Sequence, residues 1–248
     1  AYGAATAVVS LGPVMSDRLV AKGVDRGRVT EISNWATGRL GRIRGVDNPL
    51  ASKWGVRGRF VLLYSGNMGI GHEFETLVEG FRQALETCPD AVLIFVGRGR
   101  RLAEVRRHVD SLGLEGSVLF FDFLPFAELP YSMGLADLAV VTLRSGFEGL
   151  IAPSKFLGYA ARGLPVLYIG PPSDVGYFIS QADCGYRLEI GNSGGVCRAI
   201  ITAYQDRAGI AARGRAGLDY YRANLAREIA MSKYDRIVSG CLGRPGTT

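Results

Sequence analysis

The chain has 248 residues, enough for one large domain or two small ones, with 48% hydrophobic and 21% charged residues and a formal net charge of +6. That is the composition of a soluble globular protein with a sizeable core, and no apolar run approaches the roughly 20 residues that a bilayer-spanning helix needs. The arginine-rich balance suits phosphate-bearing small molecules or an anionic membrane surface; without a zinc finger, an RNP aromatic motif or a Lys/Arg tract, nucleic acid is not an expected partner.

Residues 1–57 stand apart from the rest. Strands are predicted at 5–10 and 28–32 around a helix at 14–22, followed by a polar, Gly/Arg-rich stretch from Thr37 to Asn48 and then Pro49. This reads as the tail of a preceding unit plus a linker, and a chain that does not begin with Met is expected to be a processed or excised fragment. From residue 58 to 248 a single domain is expected. Phe60 to Tyr64 is a continuous apolar run, as in a buried strand, and ends in Ser65-Gly66-Asn67-Met68-Gly69. Phe74, Leu77, Val78, Phe81 and Leu85 then fall at helical spacing within a helix over 73–87. A second strand (91–96) closes on Gly97-Arg98-Gly99, a helix over 101–112 stops at Gly113, and a third strand covers 118–121. A short helix near 126–135, a strand at 138–143, a helix over 153–162 and a strand at 166–169 follow, the last running into Gly170-Pro171-Pro172. Helices near 174–182, 194–206 and 218–238 finish the chain.

Strands that are apolar throughout and alternate with helices imply an α/β protein, a Rossmann-like parallel sheet with helices on both faces. In such sheets ligands bind at the carboxyl ends of the strands. Those ends are rich in Gly, Arg and polar residues, as a phosphate-binding edge is, although a glycine there also serves plain turn chemistry. Pro153 suits the first position of its helix, which places Ser154 and Lys155 in the first turn, where free N–H groups and the helix dipole attract an anion. A solvated lysine on a capped helix is the alternative. Arg144 and Lys155 converge on one strand end and are the best candidates to bind a diphosphate. Arg98 is placed to meet a base or ribose, or else belongs to a solvated cluster running to Arg101. Asn67 and His72 are candidates to hydrogen-bond phosphate or sugar, with a capping or core role equally open for His72. Cys88, Cys184, Cys197 and Cys241 lack paired CxxC spacing, and two histidines cannot complete a common zinc site with them. They read as isolated thiols in a reducing compartment, and no metal is expected.

Several segments resemble one family. They are Ile32-Ser33-Asn34-Trp35-Ala36, Asp47-Asn48-Pro49-Leu50, Tyr64 to Gly69 with His72-Glu73-Phe74-Glu75-Thr76-Leu77, Ala136-Asp137, Leu143-Arg144, Glu148-Gly149-Leu150 through Pro153-Ser154-Lys155-Phe156, and Gly163-Leu164-Pro165-Val166. In this order they resemble bacterial family-4 glycosyltransferases, above all the subgroup used in colanic-acid, capsule and O-antigen assembly. The resemblance implies a GT-B fold of two Rossmann-like domains, of which this chain would be the C-terminal, nucleotide-sugar-binding one; the N-terminal, acceptor-binding domain would be almost wholly missing. It implies a retaining hexosyl transfer from a UDP-sugar or GDP-sugar, most simply a UDP-sugar, to a polyprenyl-diphosphate-linked or other glycan acceptor. The setting would be cytoplasmic, peripheral on the inner face of the plasma membrane, and the fragment alone would be inactive.

By the same resemblance, Glu148 is similar to the acidic residue that contacts the donor sugar and is the catalytic candidate. Gly66, Asn67, Gly69, His72, Arg98, Arg144, Ser154, Lys155 and Asp174 are the donor-binding candidates, with Asp174 in a segment that is acidic and sugar-facing in the family. Two departures stand out. Many members clamp the diphosphate with Arg and Lys in the first loop, where this chain has Asn67 and His72, and the Glu that often grips the ribose is Gly158 here. Rival readings are a non-catalytic nucleotide-sugar-binding module, a GT-B nucleotide-sugar epimerase, and a dinucleotide-dependent oxidoreductase. The last is weakened because Gly66-Asn67-Met68-Gly69-Ile70-Gly71 is a poor match to G-x-G-x-x-G.

Overall fold

The computed structural model describes residues 2–37, 41–42 and 48–243. In chain order the elements are β1 (Val8–Ser10), α1 (Pro13–Ala21), β2 (Val29–Glu31), α2 (Pro49–Lys53), β3 (Phe60–Ser65), α3 (Glu75–Ala84), β4 (Ala91–Val96), α4 (Leu102–Ser111) and β5 (Val118–Phe121). Then come α5 (Leu129–Leu135), β6 (Leu138–Thr142), α6 (Ser154–Ala160), β7 (Val166–Ile169), α7 (Asp174–Ala182), β8 (Gly185–Leu188), α8 (Ser193–Gln205), α9 (Arg207–Asn224) and α10 (Arg227–Cys241). β1 and β2 form a separate parallel pair, while the six-stranded sheet is parallel throughout in the order β5-β4-β3-β6-β7-β8.

The apolar runs explain this architecture. Every residue of β4 and β6 is buried, so both faces of the sheet need cover. Successive side chains alternate between the two covers. Val61 and Leu63 of β3 pack with Phe156, Leu157 and Ile179 on one face, and Phe60, Leu62 and Tyr64 pack with Leu77, Phe81 and Ile200 on the other. The strand order reverses between β3 and β6, which leaves a crevice beyond their carboxyl ends.

The differences from the sequence reading have physical causes. The edge strand β8 was not expected, because Gly-Tyr-Arg-Leu is short and only half-buried. The expected helix at 218–238 is two helices broken at Leu225-Ala226, and α9 begins well before it at Arg207. Its glycines had hidden it. They serve close packing: a Cβ on Gly214 would stand 2.3 Å from the Gly163 carbonyl oxygen, and one on Gly217 would stand 2.9 Å from Cys184 Cβ. Pro153 is the residue flanking α6, not its first helical one, so the helix starts at Ser154. Of the expected linker from Thr37 to Asn48, residues 38–40 and 43–47, including Asp47 of the motif above, lie outside the described residues. Asn48 caps α2 by accepting a hydrogen bond from Leu50 N at 3.1 Å.

The exit loops of β3 and β4 lie backbone against backbone. Gly66 N donates to Val96 O (2.9 Å), Met68 N to Arg98 O (2.7 Å) and Arg101 N to Met68 O (3.0 Å). Gly97 and Gly99 adopt φ of 141° and 153°, and a Cβ on either would sit 2.1 Å from Gly66 O or 2.3 Å from Met68 O. Gly97→Ala is therefore expected to lower unfolding stability in urea by at least about 2 kcal/mol. Gly158→Ala, inside α6 with only Arg162 Nη1 at 3.8 Å, is expected to leave stability unchanged or raise it slightly. Equal effects of the two variants would contradict this account.

Candidate functional site

The site is assembled at the β3/β6 reversal. Tyr64, the buried penultimate residue of β3, donates its hydroxyl to Asn67 O at 2.7 Å and so shapes the turn that follows. From α6, the Tyr159 hydroxyl accepts from Ser65 N at 2.9 Å and anchors the helix to the same strand end. Between these, Gly66 has φ of 139°, and a Cβ there would lie 2.7 Å from Lys155 Cε. Only glycine leaves room for the lysine stem at that point. Lys155 runs over the Tyr64 ring, its Nζ 5.2 Å from the centroid, and ends 3.0 Å from His72 Nε2.

The tautomer of His72 follows from its partners. The buried ring places Nδ1 at 2.7 Å from the Thr142 carbonyl, which can only accept, so Nδ1 carries the hydrogen and Nε2 is a bare acceptor for the Lys155 ammonium. Burial and then the Lys155 charge push His72 down to about 4, with Arg101 adding to the effect and the Thr142 hydrogen bond opposing it. Burial alone brings Lys155 down to about 8. The site therefore holds a neutral imidazole beside an ammonium.

Two cavities meet at Lys155. The larger, about 500 Å³, extends from Gly66, Asn67 and Ser154 past Gly158 to Phe123 and Phe126. The smaller, about 40 Å³, lies between His72, Thr142, Lys155 and Asp174. Gly66, Asn67, Ser154, Lys155, His72 and Asp174 are thus brought to one place. Gly69 stands at the rim, where a Cβ would come within 3.0 Å of Asn67 Nδ2.

The other candidates sit differently. Arg98 is exposed and paired with the Asp122 carboxylate, which engages the guanidinium that was expected at the base or ribose. Arg144 is exposed at the end of β6, held through its backbone N–H to Gly71 O at 2.8 Å. The Glu148 carboxylate turns back to accept from Gly146 N at 2.9 and 3.1 Å, and its carbonyl accepts from Arg18 Nη1 at 3.1 Å. Asp174 is buried, and its Oδ1 accepts from Val14 N at 2.8 Å, capping the start of α1 across the molecule. Its Oδ2 is buried with no hydrogen-bond partner, and burial raises the pKa of the carboxyl against the lowering effect of the Val14 and Met15 N–H groups.

Arg101 was overlooked within the run of arginines, for which a solvated cluster was one of two readings. It is buried, donates to His72 O at 2.6 Å and bridges Glu75 and Glu104. It thereby ties the His72 turn to α4. Its place directly after the Gly97–Gly99 turn, at the mouth of a helix, was the available signal. Among the described residues no group of three or more His, Cys, Asp or Glu side chains could hold a metal ion, and no helix is long and apolar enough to cross a membrane.

A parallel sheet covered on both faces, with a glycine-lined crevice at its strand-order reversal, is the doubly wound class of α/β protein, in which ligands bind beyond the carboxyl ends of the strands. The family model "Glycosyl transferases group 1" matches residues 59–206, and the chain belongs to that family. It is 26% identical over 223 residues to the Probable glycosyltransferase WbjE of Pseudomonas aeruginosa, an alignment covering 81% of this chain and 54% of WbjE. The fold is similar to that of Anabaena HepE, solved with UDP, with a TM-score of 0.82 at 18% identity over 95% of this chain and 64% of that one. A glycosyltransferase from Rickettsia africae superposes with a TM-score of 0.81 at 14% identity, over 97% of this chain and 64% of that one. The chain thus spans about half the length of its curated relative and under two thirds of these structures. The α/β fold expected from the sequence, of the GT-B glycosyltransferase type, is the one present.

A largely desolvated ammonium with no counter-ion among the described residues destabilises the ligand-free fold. Lys155 titrates near 8 in the folded chain against an ordinary value of 10.5, so the unfolded chain binds the proton more tightly and the cost applies below about 8. Lys155→Met is expected to raise stability at pH 7 by roughly 1–3 kcal/mol, and the gain should fade as pH rises from 8 towards 10.5. Denaturant titrations across that range check it; a destabilised variant, or a gain independent of pH, would contradict the assignment.

Proposed function

We propose that the chain is the donor-binding half of a retaining glycosyltransferase that moves a hexosyl group from a nucleotide-sugar, UDP-linked, to a polyprenyl-diphosphate-linked or other glycan acceptor in surface polysaccharide synthesis. The observation that carries this reading is Lys155, which lines a cleft of about 500 Å³ at the strand-order reversal and holds its Nζ 3.0 Å from His72 Nε2, in a chain of the group 1 glycosyl transferase family. HepE has been solved with UDP-glucose as well as UDP, which supports a nucleotide-sugar donor. The capsule and O-antigen subgroup rests on the motif resemblance alone. So do the retaining outcome and an acceptor met at the inner face of the plasma membrane. Residues 1–57 are proposed to be the end of the acceptor-binding domain and its linker, with 58–248 the donor domain.

Each residue has a defined task in this reading. Lys155 meets the diphosphate and, with Arg144 swinging in from the rim, stabilises the negative charge that develops as the sugar leaves. The Gly66 and Asn67 backbone lies against the same phosphates. Phe123 and Phe126, large apolar side chains exposed at the far end of the cleft, offer faces for the base. Gly158 leaves the ribose side of the cleft open where other family members place a carboxylate. Glu148 reaches the sugar only after releasing Gly146 N. The phosphate charge is met by protein cations, and no metal is required.

Calorimetry against UDP, GDP and ADP, with and without EDTA, tests this. Binding of at least one is expected to survive EDTA, and Lys155→Met is expected to weaken it by about 1.5–3 kcal/mol, with the nucleoside lacking phosphates hardly affected. No heat with any of the three, or heat only with Mg²⁺, would overturn the reading.

A further inference from the structure

We propose that His72 is the positioning residue of Lys155: its imidazole accepts a hydrogen bond from the ammonium through Nε2 and aims it into the cleft. This rests on the reading of the cleft as a diphosphate site. The geometry fixes every atom of the relay. Thr142 O, at the carboxyl end of β6, takes the Nδ1 hydrogen at 2.7 Å, and Nε2 faces Lys155 Nζ at 3.0 Å. In this orientation the ring offers the lysine an acceptor and no hydrogen. The rings of Tyr64 and Phe74 stand against it with centroids 5.7 and 6.0 Å away, and its backbone is held by its own N–H to Gly69 O (3.2 Å) and by Arg101 Nη1 to its carbonyl (2.6 Å). Without this acceptor, a long and flexible side chain would have to be ordered by the ligand alone, at the cost of its rotamer freedom.

The surroundings leave the ammonium dependent on His72. Tyr64 of β3 presents its ring, Tyr159 of α6 turns its hydroxyl to Ser65, and Arg101, just before α4, lies behind the histidine with two carboxylates of its own. Asp174 at the start of α7 lines the same small cavity, but its Oδ1 is taken by α1. No carboxylate forms an ion pair with Lys155 among the described residues, so the positive charge is held in place by a neutral acceptor and remains uncompensated. That arrangement suits an anion-capturing group: a carboxylate in the place of His72 would compete with the ligand, and a cation would expel the lysine.

Two substitutions separate positioning from packing. His72→Gln keeps an acceptor, Oε1, close to the place of Nε2; His72→Leu keeps apolar volume and removes it. UDP binding is expected to weaken about tenfold in the Leu variant, the effect of one lost hydrogen bond, and to recover to within about threefold in the Gln variant, with uridine binding unchanged in both. In ligand-free protein, nitrogen-15 NMR of His72 is expected to show the Nδ1–H tautomer without titration between pH 5 and 9. Equal losses in the Leu and Gln variants, an Nε2–H tautomer, or a ring that titrates near its ordinary value would each overturn the proposal. Failure of the unsubstituted chain to bind UDP, GDP or ADP would sink the diphosphate reading instead, and the NMR measurement would still decide the His72–Lys155 contact.

Discussion

The exit loops of β3 and β4 are stacked backbone on backbone, and the geometry of the site depends on that contact. Three inter-loop hydrogen bonds and two glycines at positive φ hold the Gly66–Met68 turn at a fixed height above the sheet. Because the turn is fixed, Gly66 lies directly against the Lys155 stem, and Arg101, which follows the second loop, can reach the His72 carbonyl in the first. Moving either loop outward by the width of a methyl group would undo both contacts. Tight backbone packing therefore determines where one ammonium is held, and no single strong bond does so.

That ammonium answers the departure noted in the sequence. The family resemblance leads one to look for cations at positions 67 and 72, and neither Asn67 nor His72 supplies one. In the fold, Lys155 crosses from α6 and brings its Nζ to within 3.0 Å of the His72 ring. A positive charge thus reaches the first loop, carried by a different element. The histidine at 72 is then part of the same solution. A lysine or arginine there would repel Lys155 in a half-buried site, whereas a neutral acceptor of similar reach stabilises it.

Much of this was legible in the sequence, for a physical reason. Strands buried on both faces must be apolar throughout, so β3, β4, β6 and β7 stood out as continuous runs, and their polar exits marked the ligand edge. Lys155 could be named because a cation in the first turn of a helix is unfavourable without an anion, and His72 because it stands where the resembled family carries a cation. Their contact could not be foreseen, since it joins residues 83 positions apart across the sheet reversal. Arg98 and Arg101 show the limit from the other side. They are three residues apart in one arginine run, yet Arg98 is exposed with Asp122 and Arg101 is buried under His72. Which of them is buried depends on the tight Gly97–Gly99 turn, whose close approach to the neighbouring loop local composition does not encode. Where β8 and α9 went unseen, the cause was again packing: an edge strand needs only partial apolarity, and the α9 glycines are selected for contact distance and not for helix propensity.

Asp174 and Glu148 are both tied to α1. Asp174 caps α1 through Val14 N, Gly12 leaves the space for that approach, and Arg18 of α1 holds the Glu148 carbonyl. Gly149, at φ of 65°, sits with its Cβ position 3.1 Å from the Met15 Cα and the Val14 oxygen. A helix that precedes the Rossmann-like sheet by some forty residues in sequence thus fixes the loop that carries Glu148 and one side of the small cavity beside Lys155. Any shift of α1 would be felt first by Asp174, whose second oxygen is buried without a hydrogen-bond partner among the described residues, and by Glu148, whose carboxylate accepts from Gly146 N. On the proposed donor-binding reading, the diphosphate end rests on the strand ends at Gly66 and Lys155, while the sugar end rests on the contacts of Asp174, Glu148 and Gly149 to α1. On that same reading, placement of the sugar is the step most open to influence from α1.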